Sequence, residues 1–355
     1  MNYLFFTPLA IAAVFVFVIT PIVIRLMWRW KVVDDPKTHK HPKVIHTVPT
    51  PRGGGLAIFV GLLIATLLLL PVDKHLIGIL LGALVLVITG ILDDKYDLHP
   101  YPRLALQFIA AGIPIATGIG IAFWNAPFLG QIDLSQPQII FILFGDEKTI
   151  WILSDLLALV WIVMIMNFLN WGANGIDGQL TGTVAIAATV IAILSFSFSA
   201  DIAEWPVTIL AAITAGAFFG FLPWHAFPQK IMPGFTGATL GGYLLAVLSI
   251  LTTTKVGLLA VVLGLPLIDS FYTIVRRVVS GKSPFWGDRG HLHHRLLDSG
   301  WKKSHIMFFY WGITLLLGII ALNLTTDQKL YTVVGLFFLI GGLILWLTKQ
   351  KQSSG

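Results

Sequence analysis

Apolar residues in this chain come in long unbroken runs, not in the strict alternation or three-and-four stripes of a soluble domain. Runs long enough to cross roughly 30 Å of hydrocarbon occur at about 4–26, 54–71, 76–92, 104–124, 151–169 and 180–199. Others follow at about 205–224, 238–252, 256–275, 306–324 and 331–347. The pattern predicts an all-α fold, a polytopic membrane helix bundle of about 10–11 transmembrane helices. The period changes only between about 125 and 150, where Gln131-Ile132-Asp133-Leu134 alternates and Ile139 to Phe144 clusters. That segment predicts a small extracytoplasmic hairpin without evident chemistry. Residues 1–348 are expected to form one transmembrane domain, with a frayed tail over 349–355. No basic stretch precedes the first run, and Arg25, Met27 and Trp28 follow it in place of a small-residue cleavage site. It is therefore expected to be a first span, not a cleaved signal peptide.

Charge orients the bundle. If the first span enters from outside, the inner segments hold nineteen Lys and Arg residues, and the outer segments hold only Lys74, Lys148, Lys255 and Lys329. The positive-inside rule then puts the N-terminus outside and the C-terminus in the cytoplasm. Composition agrees, with 56% hydrophobic and 11% charged residues. The net charge of +6 lies in short loops without a continuous basic stripe, which argues against nucleic acid and for the membrane and anionic small substrates. The absence of cysteine excludes disulfides, a thiolate nucleophile and a Cys-ligated metal.

Four polar clusters fall in the inner segments. The first runs from Asp34-Asp35-Pro36 through His39, His41 and His46 to Arg52-Gly53-Gly54-Gly55. Glycines opening a helix let backbone N–H groups reach an anion, with Arg52 adding charge; a basic loop on a flexible hinge is the plainer reading. The second, Asp93-Asp94-Lys95-Tyr96-Asp97, closes the third run. Adjacent carboxylates repel, and at a helix C-terminus they oppose the macrodipole, so a divalent cation or a proton is expected there. A helix that has merely reached water is the alternative. The third spans Asn167, Asn170, Asn174, Asp177 and Gly178. Amides and a carboxylate at membrane depth are costly unless they face a cavity, where they suit a nucleobase, a sugar or a metal. Capping accounts for one of them. The fourth holds Arg276, Arg277, Lys282, Ser283-Pro284-Phe285-Trp286-Gly287-Asp288, Arg289, His291, His293, His294 and Arg295. The histidines alone allow zinc, but the arginines favour a phosphate-like anion. Asp269, inside the ninth run, is either a buried brace or part of the site.

In this order and on one membrane face, the clusters resemble the polyprenyl-phosphate N-acetylhexosamine-1-phosphate transferases, over roughly residues 30–300. The His46 to Pro49-Thr50-Pro51-Arg52-Gly53-Gly54 segment and the His-Leu-His-His run are similar to the N-acetylglucosamine branch. The resemblance implies transfer of a sugar 1-phosphate, that of N-acetylglucosamine for this branch, from a UDP-sugar to undecaprenyl or another polyprenyl phosphate of a bacterial membrane, with Mg²⁺ (or Mn²⁺) and release of UMP. It implies metal-holding or catalytic roles for Asp93, Asp94 and Asp177. Substrate-binding roles fall to Arg52, Gly54, Lys95, Asn167, Asn170, Asn174, Arg289, His291, His293 and His294. The lipid phosphate, with its second pKa near ~6, needs no strong base, which favours metal and positioning roles over a covalent aspartyl-phosphate route.

Two positions depart from the family pattern. Phe235, in Pro233-Gly234-Phe235-Thr236-Gly237-Ala238, stands where the family carries a metal-binding Asp, and Asn174 stands where Asp is usual. These motivate a second reading, a degenerate relative that binds nucleotide sugar or lipid phosphate without turnover. A third, a proton-coupled transporter, fits less well, because transporters keep their polar residues near the bilayer midplane. An apolar bundle also leaves a homodimer open.

Overall fold

The computed structural model describes residues 2–37, 45–126, 130–143, 146–197, 205–252, 256–284 and 288–353. His39, His41, Lys40, Lys43, Phe144 and Phe285-Trp286-Gly287 lie outside the described residues.

Each apolar run forms a helix over most of its length among the described residues. The first eight correspond to α1 (Asn2–Trp30), α2 (Gly55–Leu69), α3 (Lys74–Tyr96), α4 (Pro100–Ala116), α5 (Ile152–Gly172), α6 (Gln179–Ser197), α7 (Trp205–His225) and α8 (Gly234–Leu251). The ninth is broken into α9 (Val256–Val262) and α10 (Gly264–Val279), which meet at 82°. A short α11 (Leu292–Asp298) precedes α12 (Lys303–Leu322) and α13 (Thr326–Ser353). Among the described residues eight helices are long and apolar enough to cross a membrane, or nine if the bent pair is one span. The apolar α2 has 15 residues, about 22 Å of helix, and so falls short of the full hydrocarbon thickness.

Two boundaries differ from expectation. The fourth run continues apolar to residue 124, but α4 stops at Ala116, after Pro114, and Gly118 then takes a φ of +105° that ends the helix. The chain leaves as a strand. At the other end the tail expected to fray from 349 continues α13 to Ser353, since Lys349, Gln350, Lys351 and Gln352 are all good helix formers.

The segment between α4 and α5 holds two hairpins where one was expected. Strand β3 (Phe123–Ala126) pairs with β4 (Gly130–Asp133), and β5 (Gln138–Leu143) pairs with β6 (Asp146–Trp151), both antiparallel. Near the other end of the bundle, the two-residue strands β1 (Val33–Asp34) and β2 (Thr50–Pro51) pair and bring Asp34 beside the start of α2.

Helix α8 sits at the centre, packed against α3 and α5. Of its central apolar stretch 89% is buried, against 17% for α13 at the periphery. Small residues permit this. Gly242 leaves room for the Met166 backbone on α5, and Gly90 on α3 leaves room for Thr236. Lipid tails offer no hydrophobic drive between helices, so such close backbone packing is a main source of cohesion.

Candidate active site

A cleft of about 590 Å³ opens where Asp34, His46, Arg52, Asp93, Asp94, Arg103, Asn170, Asn174, Asp177, His225, Phe235, His291, His293 and His294 come together. Each lining segment is an end of a helix or the connection beyond it. Helices α1, α3, α5, α7 and α10 finish toward the cleft, and α2, α4, α6 and α8 start from it. The polar clusters of one predicted membrane face therefore converge on one cavity.

Asp94 is buried and takes three hydrogen bonds from the start of α8. The Phe235 N–H donates at 2.9 Å, the Thr236 N–H at 3.3 Å and the Thr236 hydroxyl at 2.6 Å. Because Pro233, the residue at the N-cap of α8, makes no side-chain cap bond, Asp94 supplies that cap from α3, 141 residues away in sequence. Asp93 is also buried but turns toward α4, where Arg103 Nη1 lies 3.0 Å from its carboxylate. The Arg103 guanidinium in turn lies over the Phe235 ring, 4.8 Å from its centroid.

The asparagine segment is folded by Gln179, whose side-chain oxygen accepts from the N–H groups of Gly175 and Ile176 and whose amide donates to the Gly172 carbonyl. This turn carries Asn174, which donates to the Asn170 side chain and to the Gly234 carbonyl. It also carries Asp177, whose carboxylate lies 3.4 Å from Lys303 Nζ on α12.

Across the cleft, Arg52 pairs with Asp34 and approaches Asp97 at 3.9 Å, and His46 Nε2 lies 3.3 Å from the Asp34 carbonyl. Burial disfavours the Arg52 charge, but Asp34, Asp94 and Asp97 together hold its pKa above the ordinary value. The histidine run closes the remaining side. His291 and His293 stack with their planes 2° apart, and His294 tilts against His293 at 4.4 Å. Buried Asp269 accepts from the Leu292 N–H at 2.8 Å and meets His291 Nδ1 at 2.9 Å.

Four residues expected to bind substrate do not line the cleft. Asn167 donates to Gln107 and to the Val163 carbonyl within the bundle, so it ties α5 to α4. Arg289 is drawn outward by Asp298 at 2.7 Å. Lys95 projects over the Tyr96 ring. Gly54 is buried, with its N–H donating to the Met232 carbonyl and no room for a Cβ beside Phe221, so it serves close packing. Conversely, Arg103, Lys303, His225 and Asp34 reach the site or its carboxylates without having been assigned a role from sequence. For Arg103 and Lys303 the signal available was inner-face charge at a helix start, which does not say what the charge faces.

The three carboxylates assigned to metal share the cleft without meeting at a point. Among the described residues no three His, Asp or Glu side chains converge as ligands would, because Arg103, the α8 amides and Lys303 draw Asp93, Asp94 and Asp177 to different walls. Hard oxygen donors nevertheless fit Mg²⁺, which ordinarily uses one or two carboxylates, waters and substrate phosphates in place of an all-protein cage.

Asp288 secures the loop before the histidines. Its carboxylate accepts from Arg276 at 2.7 Å and Arg277 at 3.2 Å, and from the Gly290 N–H at 2.9 Å. Burial alone would raise its pKa, but the Arg277 and Gly290 hydrogen bonds and the charges of Arg277 and Arg276 outweigh it and hold the group well below the usual carboxylate range. A depressed folded-state pKa contributes stability that is complete above the unfolded pKa of about 4 and is lost as pH falls toward the folded value. The melting temperature of wild type should therefore exceed that of Asp288→Asn by a constant margin from about pH 5 to 8 and by a shrinking one below about pH 4. A margin independent of pH down to about pH 2 would refute this account.

A membrane bundle with its polar residues gathered in a cleft at one end defines a class of integral membrane protein that works on polar groups at the bilayer surface. The chain belongs to glycosyl transferase family 4, whose model matches residues 76–253. It is 31% identical over 300 residues to the probable undecaprenyl-phosphate N-acetylglucosaminyl 1-phosphate transferase of Bacillus subtilis, covering 82% of this chain and 76% of that one. Over 345 residues it is 29% identical to the decaprenyl-phosphate N-acetylglucosaminephosphotransferase of Mycobacterium leprae, covering 87% and 80%. A phospho-N-acetylmuramoyl-pentapeptide-transferase of Moorella thermoacetica is 26% identical over 332 residues, covering 90% and 98%.

Proposed function

We propose that this protein transfers N-acetylglucosamine 1-phosphate from UDP-N-acetylglucosamine to a polyprenyl phosphate in the bacterial cell membrane, releasing UMP. The observation that carries the reading is the one-sided cleft, in which acidic, amide, guanidinium and imidazole groups from five helix-helix connections face one another at the end of an apolar bundle. A water-soluble nucleotide sugar and a lipid phosphate can meet only at such a surface. The likeness to polyprenyl-phosphate N-acetylglucosamine phosphotransferases supports the same substrates. In this reading the cleft faces the cytoplasm, with the N-terminus outside and the C-terminus inside, as the nineteen inner cations suggest.

An oxygen of the lipid phosphate attacks the β-phosphorus of the donor, the bond from that phosphorus to the bridging oxygen breaks, and UMP leaves with the electron pair. Positioning and charge neutralisation carry most of such a transfer. Arg52 and Arg103 supply fixed positive charge beside the carboxylates, Asn170 and Asn174 present amide donors and acceptors to the nucleotide, and His291, His293 and His294 hold the diphosphate and sugar. Bound Mg²⁺, or Mn²⁺, would neutralise diphosphate charge, and Asp177 with Asp93 or Asp94 would hold it.

One observation favours a second reading. Phe235, where the family pattern has an acid, lines the cleft under Arg103, and a phenyl ring cannot ligate Mg²⁺ as a carboxylate does. Purified protein incubated with UDP-N-acetylglucosamine, undecaprenyl phosphate and Mg²⁺ is expected to release UMP. A folded preparation that binds UDP-N-acetylglucosamine but releases no UMP from any of several UDP-sugars would establish the degenerate reading instead.

A further inference from the structure

We propose that Asp269 is a positioning residue that holds the cleft-lining His291 as its Nδ1–H tautomer, with Nε2 turned toward Arg277. The role of His291 rests on the transferase reading above; the tautomer does not.

Asp269 lies on α10, in the bent span, and is completely buried. One of its oxygens takes the Leu292 N–H at 2.8 Å, and the other faces His291 Nδ1 at 2.9 Å. On the far side of the ring, Arg277 Nη2 lies 3.3 Å from His291 Nε2. Arginine only donates, so Nε2 must accept and carry no proton. The imidazole proton then sits on Nδ1, where it faces the Asp269 carboxylate, so the two contacts fit one tautomer. Arg277 is itself only 3% exposed and is held by Asp288 and the Pro284 carbonyl, so it cannot swing away to suit another.

The consequence reaches the whole histidine run. The Leu292 N–H belongs to the first turn of α11, where His291 makes no side-chain cap bond. Asp269 therefore anchors that turn and orients His291 with one carboxylate, and the stacked His293 ring inherits the orientation. His291 lines the cleft, whereas Asp269 does not. It acts through the imidazole, as a carboxylate behind a functional histidine commonly does.

Asp269→Asn separates this role from simple bracing. The amide can accept from the Leu292 N–H through Oδ1 and donate through Nδ2 to His291 Nδ1, so the turn stays docked. The imidazole proton must then move to Nε2, where it opposes an Arg277 N–H. Full-length wild type, Asp269→Asn and Asp269→Glu, labelled with ¹⁵N-histidine, would be compared by NMR in detergent micelles, with His291→Gln assigning the resonances. The expected result is the Nδ1–H tautomer in wild type and Asp269→Glu and the Nε2–H tautomer in Asp269→Asn. The asparagine variant should keep its thermal stability but lose about ten- to a hundred-fold in kcat/KM, as removing an orienting partner does, with an altered pH profile that Asp269→Glu partly restores. An Nε2–H tautomer in wild type, or an Asp269→Asn enzyme with unchanged kcat/KM and pH profile, would overturn the proposal. Should Asp269→Asn not fold, Asp269→Glu decides by retaining or losing the Nδ1–H form. A wild type that releases no UMP defeats the transferase reading alone, and the tautomer measurement then decides the positioning role.

Discussion

Asp94→Asn is expected to slow UMP release by at least about a hundred-fold, the scale on which loss of a preorganised electrostatic contact acts. The carboxylate caps α8 with one bond to Phe235 and two to Thr236, all from donors. An amide in its place has a single acceptor oxygen and turns an NH₂ group toward the remaining donors. At least one buried N–H or O–H is left unsatisfied, at about 1–3 kcal/mol. The variant also removes the negative charge that, with Asp34 and Asp97, sustains Arg52. Thermal unfolding separates the two effects. Thr236→Val, which removes one donor and leaves the charge, should cost less activity than Asp94→Asn at a similar melting temperature. Wild-type turnover by a folded Asp94→Asn enzyme would remove Asp94 from the catalytic assignment.

Gly55→Ala is expected to destabilise the protein by about 1–3 kcal/mol or more, the range for overpacking a filled interior. A Cβ there would lie 2.6 Å from the Thr236 carbonyl carbon and 2.7 Å from Gly237 Cα. Both atoms are backbone, so no side chain can rotate out of the way. The entry to α2 is fastened at this point by the Gly55 N–H to the Pro233 carbonyl at 3.1 Å and the Gly54 N–H to Met232 at 2.9 Å. Relief requires moving the start of α8 off Asp94, so activity should fall together with stability. Gly112→Ala on α4 is the control, because nothing lies within 4 Å of its added methyl; it should leave the melting temperature unchanged or raise it. Equal melting temperatures for the two variants would show that α2 and α8 do not meet as closely as described.

Much of this architecture was readable without coordinates, for a reason particular to lipid. A segment in hydrocarbon must satisfy its backbone internally, so a long apolar run becomes a helix almost regardless of its neighbours. Each predicted run carries a helix over most of its length, and the elements that escaped are those that lipid does not dictate. Proline, threonine and glycine at 114–118 ended α4 early, and cross-strand pairing made two hairpins of the segment after it. The polar clusters were legible on the same physical ground, since Asp93, Asp94, Asn170, Asn174 and Asp177 are too costly near lipid to be incidental.

Sequence by itself thus determined the helical bundle, the clustering of its polar residues at one end and the residue types available for chemistry there. Only the tertiary structure decided which of those residues face one another. Asp93 meets Arg103, Asp94 meets the amides of α8, Asp177 meets Lys303 and Asp269 meets His291, while Asn167 and Arg289, equally polar in sequence, are taken up by Gln107 and Asp298. Apolar runs are local and read out one segment at a time. A hydrogen bond is directional and falls away beyond about 3.5 Å, so its partner is fixed only once helices far apart in the chain have packed.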